Sequence, residues 1–387
     1  VNAFGIYDTP EDWCRSVVSA VQVHPDCVID LGAGAGGLLS AAAKRWTRAS
    51  LVAAEQDQQR LHRLQQAIPR AEVLRADLLA QRWPSRLREL IGQVDVAVCN
   101  PPFQRIVNGD PLLRWLERAG LSRETWPRAI HSELIFLAQN LAMLRPGGEL
   151  AIILPDGIIS GMQYRATRAA LLAQHEVRKI VALPNCFRGT EARTHLMLIV
   201  KGAGPSERVE LSCPALGTDL LLPGQALIER ADPEFHLRHA RERGRRKALI
   251  TLGDIGTSLV RGALSSKALH ASGHSHFHTT SFAAAVHGVI DGIADPACHL
   301  GPVAASGDLL FARVGSRCLG RIARVRHGAA PISDCLFRLR VPAAWRDRVQ
   351  ARLQSASGQM WLMTRARGVC ARYLTREDLL RFPLDGV

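Results

Sequence analysis

Four polar residues, Asp30, Glu55, Asp77 and Asn100, follow one another at intervals of 25, 22 and 23 residues, each at or just past the end of a short apolar run. One strand, one helix and their connections consume about that length of chain, so the spacing predicts successive βαβ units. The runs are Cys27 to Leu31, Leu51 to Glu55, Glu72 to Leu74 and Val94 to Cys99, continued by Glu149 to Leu154, Lys179 to Leu183 and His195 to Lys201. The fold class expected is α/β, with a doubly wound, mainly parallel sheet of seven strands. The sequence Arg145-Pro146-Gly147-Gly148 fits that expectation, because proline and glycine end a helix and turn the chain into the next strand.

Sheets of this kind bind ligands beyond the carboxyl ends of their strands, so the four polar residues should converge on one edge. The first strand runs into Asp30-Leu31-Gly32-Ala33-Gly34-Ala35-Gly36-Gly37, and glycines at a strand-to-helix turn let the backbone approach a ligand closely. Glu55 is placed to accept hydrogen bonds from both hydroxyls of a ribose. Asp77, with Leu78 beside it, is placed to receive an adenine. Asp30, Gly32, Gly34, Glu55, Asp77 and Leu78 would serve a dinucleotide as well as S-adenosylmethionine.

The fourth strand separates those possibilities, because Asn100-Pro101-Pro102-Phe103 follows it. The exocyclic amine of adenine is conjugated into its ring and is a poor nucleophile. Two acceptors, the Asn100 side-chain oxygen and the Pro101 carbonyl, can hold its two hydrogens and favour a pyramidal nitrogen. Its lone pair then points at a methyl donor. Proline fixes φ and removes a donor, so the carbonyl is held rigidly, the kind of preorganisation that lowers a barrier. Phe103 would stack on the base, which has to be flipped out of a duplex first. Asn100 would also touch the cofactor. Cys99 precedes the tetrad without a Pro-Cys pair, so it is read as core packing and not as a covalent nucleophile.

Charge locates the partner. Between His236 and Arg381 there are 23 Lys plus Arg against 9 Asp plus Glu, which accounts for the whole formal excess of +14. A basic segment of this kind is the footprint of a polyanion, since neutralised phosphates release counterions. Arg313, Arg317, Arg321 and Arg324 are candidates for DNA contact, although most such bonds go to phosphate. The chain has 387 residues, enough for two domains, and its 47% hydrophobic content suits ordinary cores. No apolar run is long enough for a bilayer, and Val1 to Asp8 lack a secretory pattern, so a soluble cytoplasmic protein is expected, with no membrane partner. Nine scattered cysteines, an odd number without a close pair, suit reduced thiols.

In this order the motifs resemble the gamma class of amino DNA methyltransferases, close to the modification subunits of type I restriction systems and the single-chain type II enzymes related to them. The resemblance runs over roughly residues 4 to 201. Tyr7-Asp8-Thr9-Pro10 resembles the segment that closes over the methionine part of the cofactor, which implies cofactor contacts from Tyr7, Thr9 and Pro10. Leu150 to Pro155 with Asp156-Gly157-Ile158 resembles the next strand and its turn. Phe187, with Thr190 and Thr194, resembles the segment that helps hold the flipped base.

The carboxyl-terminal part resembles target-recognition domains of type I specificity subunits. It does so through Leu252-Gly253-Asp254-Ile255, Gly307 to Ser316, and Tyr373 to Leu379. The resemblance implies a methyltransferase domain over 1–235, a basic linker over 236–248, and a smaller β-rich α+β DNA-recognition domain over 249–387. It implies S-adenosylmethionine as cofactor and N6-adenine methylation of a specific sequence in double-stranded DNA. A cognate restriction nuclease or a dimer partner is possible. An RNA base or a protein glutamine is the alternative substrate, and a catalytically idle DNA-binding subunit is the alternative of another class. His270, His274, His276 and His278 match no zinc spacing, so no metal is expected.

Overall fold

A computed structural model describes residues 8–80, 82–104, 106, 110–184, 193–243, 250–291, 300–315, 317–368 and 371–384; Tyr7, Phe187 and Thr190 lie outside them. The chain forms two compact units, Val1–Leu237 and Arg238–Val387.

Among the described residues, the first unit is built on a mixed sheet of nine strands. They are β1 (Cys27–Leu31), β2 (Ser50–Glu55), β3 (Glu72–Arg75), β4 (Val94–Cys99), β5 (Leu144–Pro155), β6 (Glu176–Ala182), β7 (Thr194–Val200), β8 (Arg208–Cys213) and β9 (Thr218–Pro223). Their order is β3-β2-β1-β4-β5-β7-β6-β8-β9. The strands from β3 to β5 pair in parallel, while β7 runs antiparallel to both β5 and β6. Each of the seven apolar runs lies on one of β1 to β7, to within a residue at its end. The count of seven is corrected to nine by β8 and β9, which continue the sheet beyond β6. The first hides in a polar segment because it alternates: Val209 and Leu211 are buried while their neighbours are not fully so; the second, with Leu220-Leu221-Leu222, has no fully buried residue.

The parallel strands read as unbroken apolar runs because both faces are covered. Along β2, Leu51 and Ala53 join one core and Val52 and Ala54 the other; along β4, Val96 and Val98 separate from Ala97 and Cys99 in the same way. One core is closed by α1 (Glu11–Ser19), α2 (Gly37–Arg45) and α3 (Gln58–Ala67). The other is closed by α4 (Ser85–Glu89), α5 (Asp110–Arg118), α6 (Ser132–Met143) and, past the short α7 (Asp156–Ser160), by α8 (Arg165–Gln174). All twelve residues of α6 are buried, and each large apolar side chain among them stabilises by about 1.5–3 kcal/mol. After α6 the chain turns at Gly147, at φ +75°, and Gly148 has no room for a side chain, since a Cβ would lie 2.9 Å from the Asp95 carbonyl.

The segment expected as a basic linker begins inside α9 (Pro233–Arg243), and the division between the units falls within that helix. The second unit is α+β. It carries β10 (Ser258–Arg261), β11 (Val289–Ile290), β12 (Val303–Ala305), β13 (Leu309–Ala312), β14 (Ile322–Val325), β15 (Ala329–Pro331) and β16 (Leu336–Arg340). Five of these form one sheet, β10-β16-β13-β14-β11, and β12 pairs with β15. Gly307 to Gly315 thus leads into and out of the central strand. The Leu252-Gly253 segment bonds to the Phe382 and Leu380 carbonyls at 3.0 and 2.8 Å, joining the two ends of the unit. Among the described residues, no helix is long and apolar enough to cross a membrane.

Candidate active site

The carboxyl ends of β1, β2 and β4 bring the sequence-derived residues to one edge. The Gly32 and Ala33 amides both donate to the Ala54 carbonyl, at 2.8 and 3.0 Å, which draws the glycine loop across the end of β2. Gly32 sits at φ +77°, and a Cβ there would come within 2.9 Å of the Phe136 ring, so glycine is required twice over. Three backbone amides hold the buried Glu55 carboxylate: Gly34 at 2.8 Å on one oxygen, Gln56 and Asp57 at 2.8 and 2.9 Å on the other. Carboxylate oxygens accept more than one hydrogen bond each, so this grip orients Glu55 and leaves capacity for a ligand.

Two lobes of a cleft, of about 500 and 520 Å³, share Gly32 and Asn100. Glu55, Asp77, Leu78, Pro101 and Phe136 line the first, which is apolar between its acids. Asp77 is exposed and caps the following turn, accepting from the Leu79 amide at 2.9 Å. Thr9, Asp30, Gly34 and Arg60 line the second lobe. There Asp30 is buried, and its Oδ1 has no hydrogen-bond partner. Burial first, and then the negative charge of Glu55, pushes the Asp30 carboxyl up to about 8. Arg60 Nη1 is also buried without a hydrogen bond, with the Asp8 carboxylate 3.6 Å away. Pro10, the residue before α1, is half-buried and lines neither lobe.

At the junction of the lobes the Asn100 amide donates to the Thr9 hydroxyl at 3.0 Å. Pro101 is buried, and Pro102 and Phe103 are half-buried; both prolines line the first lobe and Phe103 lines neither. Cys99 is fully buried, and its thiol donates to the Leu31 carbonyl at 3.2 Å. Burial and the nearby Asp30 raise that thiol well above its ordinary range, opposite to what a thiolate nucleophile needs.

Asp156, at the start of α7, meets His195 of β7 and Asp232 in a buried group whose ligand-type atoms lie within 4.8 Å of one another. Two guanidiniums already supply positive charge there, Arg230 at 2.6 Å and Arg193 at 2.8 Å from Asp232. Burial alone would raise the Asp232 carboxyl, yet Arg193 and Arg230 hold it well below the usual range.

In the second unit Arg313 donates to the Asp334 carbonyl at 3.1 Å and lies over the Phe337 ring, while Arg324 bonds Gln350 at 2.9 Å and pairs with Asp347. Arg317 and Arg321 are exposed on the turn between β13 and β14. His276 and His278 bond Ser266 and Ser333, each at 2.8 Å. Arg60, Phe136 and Gln104 line the cleft unannounced by any motif, because each arrives on a helix or loop whose packing the local sequence does not encode.

The fold is α/β, and its cleft gathers Asp30, Glu55, Asp77 and Asn100 with both prolines of the tetrad. The N-6 DNA Methylase family model matches residues 2–210, more than half of the chain, and the chain belongs to that family. No curated protein sequence matches it. The type IIG restriction endonuclease BpuSI aligns with a TM-score of 0.54 and 13% identity over 99% of this chain and 59% of its own. A type I restriction-modification methyltransferase subunit from Streptococcus thermophilus gives 0.45 and 17%, over 64% of this chain and 55% of that one. The M protein of the type I enzyme EcoKI gives 0.43 and 17%, over 55% and 49%. Of the three, the likeness to BpuSI bears on the fold.

The family's cofactor is S-adenosylmethionine, and the cleft fits it. Its second lobe offers a lone carboxyl oxygen at Asp30 and a lone guanidinium nitrogen at Arg60. An amino acid end, with one ammonium and one carboxylate, complements that pair. The apolar first lobe with Glu55 suits an adenosine.

Proposed function

We propose that the protein transfers a methyl group to the N6 amine of adenine within a specific sequence of double-stranded DNA. The reading rests chiefly on Asn100, which stands where the two lobes of the cleft meet, and on Pro101 next to it, which lines the first. Bound S-adenosylmethionine supplies an electrophilic methyl group. Asp30 and Arg60 hold its amino acid end, with Thr9 and Tyr7 closing over it, and Glu55, Asp77, Leu78 and Phe136 hold its adenosine. Asn100 Oδ1 and the Pro101 carbonyl accept the two hydrogens of the target amine and turn its lone pair outward for in-line attack; one hydrogen leaves as a proton after transfer. The base reaches the tetrad by flipping, and stacking on Phe103, with Phe187 helping to hold the base, offsets part of the few kcal/mol of unstacking.

Within the second unit, residues 249–387 serve as the target-recognition domain, with Arg317 and Arg321 as phosphate contacts. Its charge supports that role, and a DNA substrate suits a cytoplasmic protein, alone or with a companion nuclease. The test is incubation with radiolabelled S-adenosylmethionine and unmethylated duplex DNA, followed by nucleoside analysis. N6-methyladenine that disappears in Asn100→Ala supports the reading; label in RNA or protein alone overturns it.

A further inference from the structure

The tetrad has a support that no sequence motif announces. Ser132, the first residue of α6, is fully buried, and its hydroxyl makes two hydrogen bonds. It donates to the Pro102 carbonyl and accepts from the Gln104 amide at 3.0 Å. The Ser132 amide in turn donates to the Gln104 carbonyl at 2.9 Å, and the Ile106 amide donates to the Ile130 carbonyl at 3.1 Å.

These bonds bracket Phe103 from both sides. A backbone amide in the first turn of a helix has no partner within the helix, and here one such donor is turned onto the loop. A single hydroxyl ties the peptide groups before and after Phe103, so neither can rotate without breaking a buried bond. Pro101 and Pro102 fix their own φ but not the ψ angles that follow, and Gln104 has no such restraint. The rigidity of the loop beyond Asn100 therefore depends on what it is bonded to.

We infer that Ser132 is the positioning residue of the catalytic loop, holding the Pro101 carbonyl and the Phe103 ring in the arrangement that receives the flipped base. The inference rests on the function proposed above. Ser132 reaches neither lobe of the cleft, so it acts through Pro102 and Gln104 and not on the cofactor. A loop held to within a few tenths of an ångström makes a productive approach angle probable at each encounter, and a displacement near 1 Å costs up to about 100-fold in rate.

The experiment compares Ser132→Ala and Ser132→Thr with the unaltered chain. Ser132→Ala should lower kcat by about 10- to 100-fold while KM for S-adenosylmethionine and its equilibrium affinity move less than about threefold. Ser132→Thr, which keeps the hydroxyl, should recover most of the rate. Independently of turnover, hydrogen–deuterium exchange of peptides spanning 101–106 should accelerate in Ser132→Ala with the core strands unchanged. An unaltered kcat and unaltered exchange in Ser132→Ala would overturn the inference. So would a loss of cofactor affinity equal to the loss of rate, which marks a general structural defect. Asn100→Ala in the same series separates the two levels. A dead Asn100→Ala beside a fully active Ser132→Ala refutes the positioning role alone, and an active Asn100→Ala refutes the proposed function.

Discussion

Asn100 donates its side-chain amide to the hydroxyl of Thr9 across 91 residues of chain, at 3.0 Å. An amide that donates through nitrogen in one direction turns its oxygen in the other, so Thr9 helps to orient the group that the proposed reaction uses to accept a substrate amine. Asn100→Ala is expected to reduce methyl transfer by at least about 100-fold, the scale of losing one preorganised polar group at a reacting centre. Cofactor affinity should stay within a few-fold in equilibrium binding. Thr9→Val, which keeps the shape and removes the hydroxyl, should cost about tenfold in kcat through misorientation of the amide.

The Asp30 carboxyl, raised to about 8 by burial and by Glu55, is protonated in the free protein at neutral pH. An ammonium group beside it favours the carboxylate, so binding S-adenosylmethionine at pH 7 should release up to one proton. Affinity should rise with pH toward about 8 and decline above it, where an α-amino group loses its own charge. Calorimetry in buffers of different ionisation enthalpy measures the release, and Asp30→Asn should abolish it. Equal heats in all buffers would refute the coupling.

Arg60 Nη1 is buried and lacks a hydrogen bond. If it receives the cofactor carboxylate, Arg60→Met should weaken binding by about 10- to 100-fold, the range of a charge-assisted hydrogen bond. Sinefungin, which keeps the amino acid end, should lose the same factor, whereas adenosine, which lacks that end, should bind both proteins alike.

Asp232 is buried between Arg193 and Arg230. Its depressed carboxyl contributes stability that is present above the unfolded value and is lost as pH falls through the folded one, in the acid range below about 4. Asp232→Asn removes the nearest carboxylate of Arg193 and Arg230, while Asp156 at 3.7 Å and Glu234 at 3.9 Å still face Arg193, and should cost up to about 3–5 kcal/mol. The urea concentration at which cofactor binding disappears reports it, and a shift equivalent to less than about 1 kcal/mol would count against the network.

Arg317 and Arg321 stand exposed on one turn of the second unit. Replacing both with alanine should weaken DNA binding and reduce the slope of log affinity against log salt by up to about 2, with cofactor affinity unchanged. An unchanged slope would remove both from the phosphate contacts.

Much of this site was legible in the sequence because strand ends recur with βα spacing. Asp30, Glu55, Asp77 and Asn100 needed only the rule that parallel strands present their carboxyl ends together. Arg60, Phe136 and Ser132 were not legible, since their place depends on how α3 and α6 pack against the sheet. The strand β8 was hidden by alternation in a polar segment, and β9 by its lack of any fully buried residue. Among the arginines, residue type could not tell Arg313 and Arg324, half-buried and hydrogen-bonded within their unit, from the exposed Arg317 and Arg321. That distinction needs the face of the strand, which a short β-rich segment does not announce.

Gly32 and Phe136 meet so closely that a methyl group at one would strike the ring of the other at 2.9 Å. Their histories are therefore tied. In descendants of this chain, a side chain arriving at position 32 would have to be accompanied by a smaller residue at 136, or the ring would be driven out of its place on the wall of the first lobe. Even then the left-handed backbone at 32 would resist the exchange. The two positions, 104 residues apart in the chain, should vary as a pair or not at all.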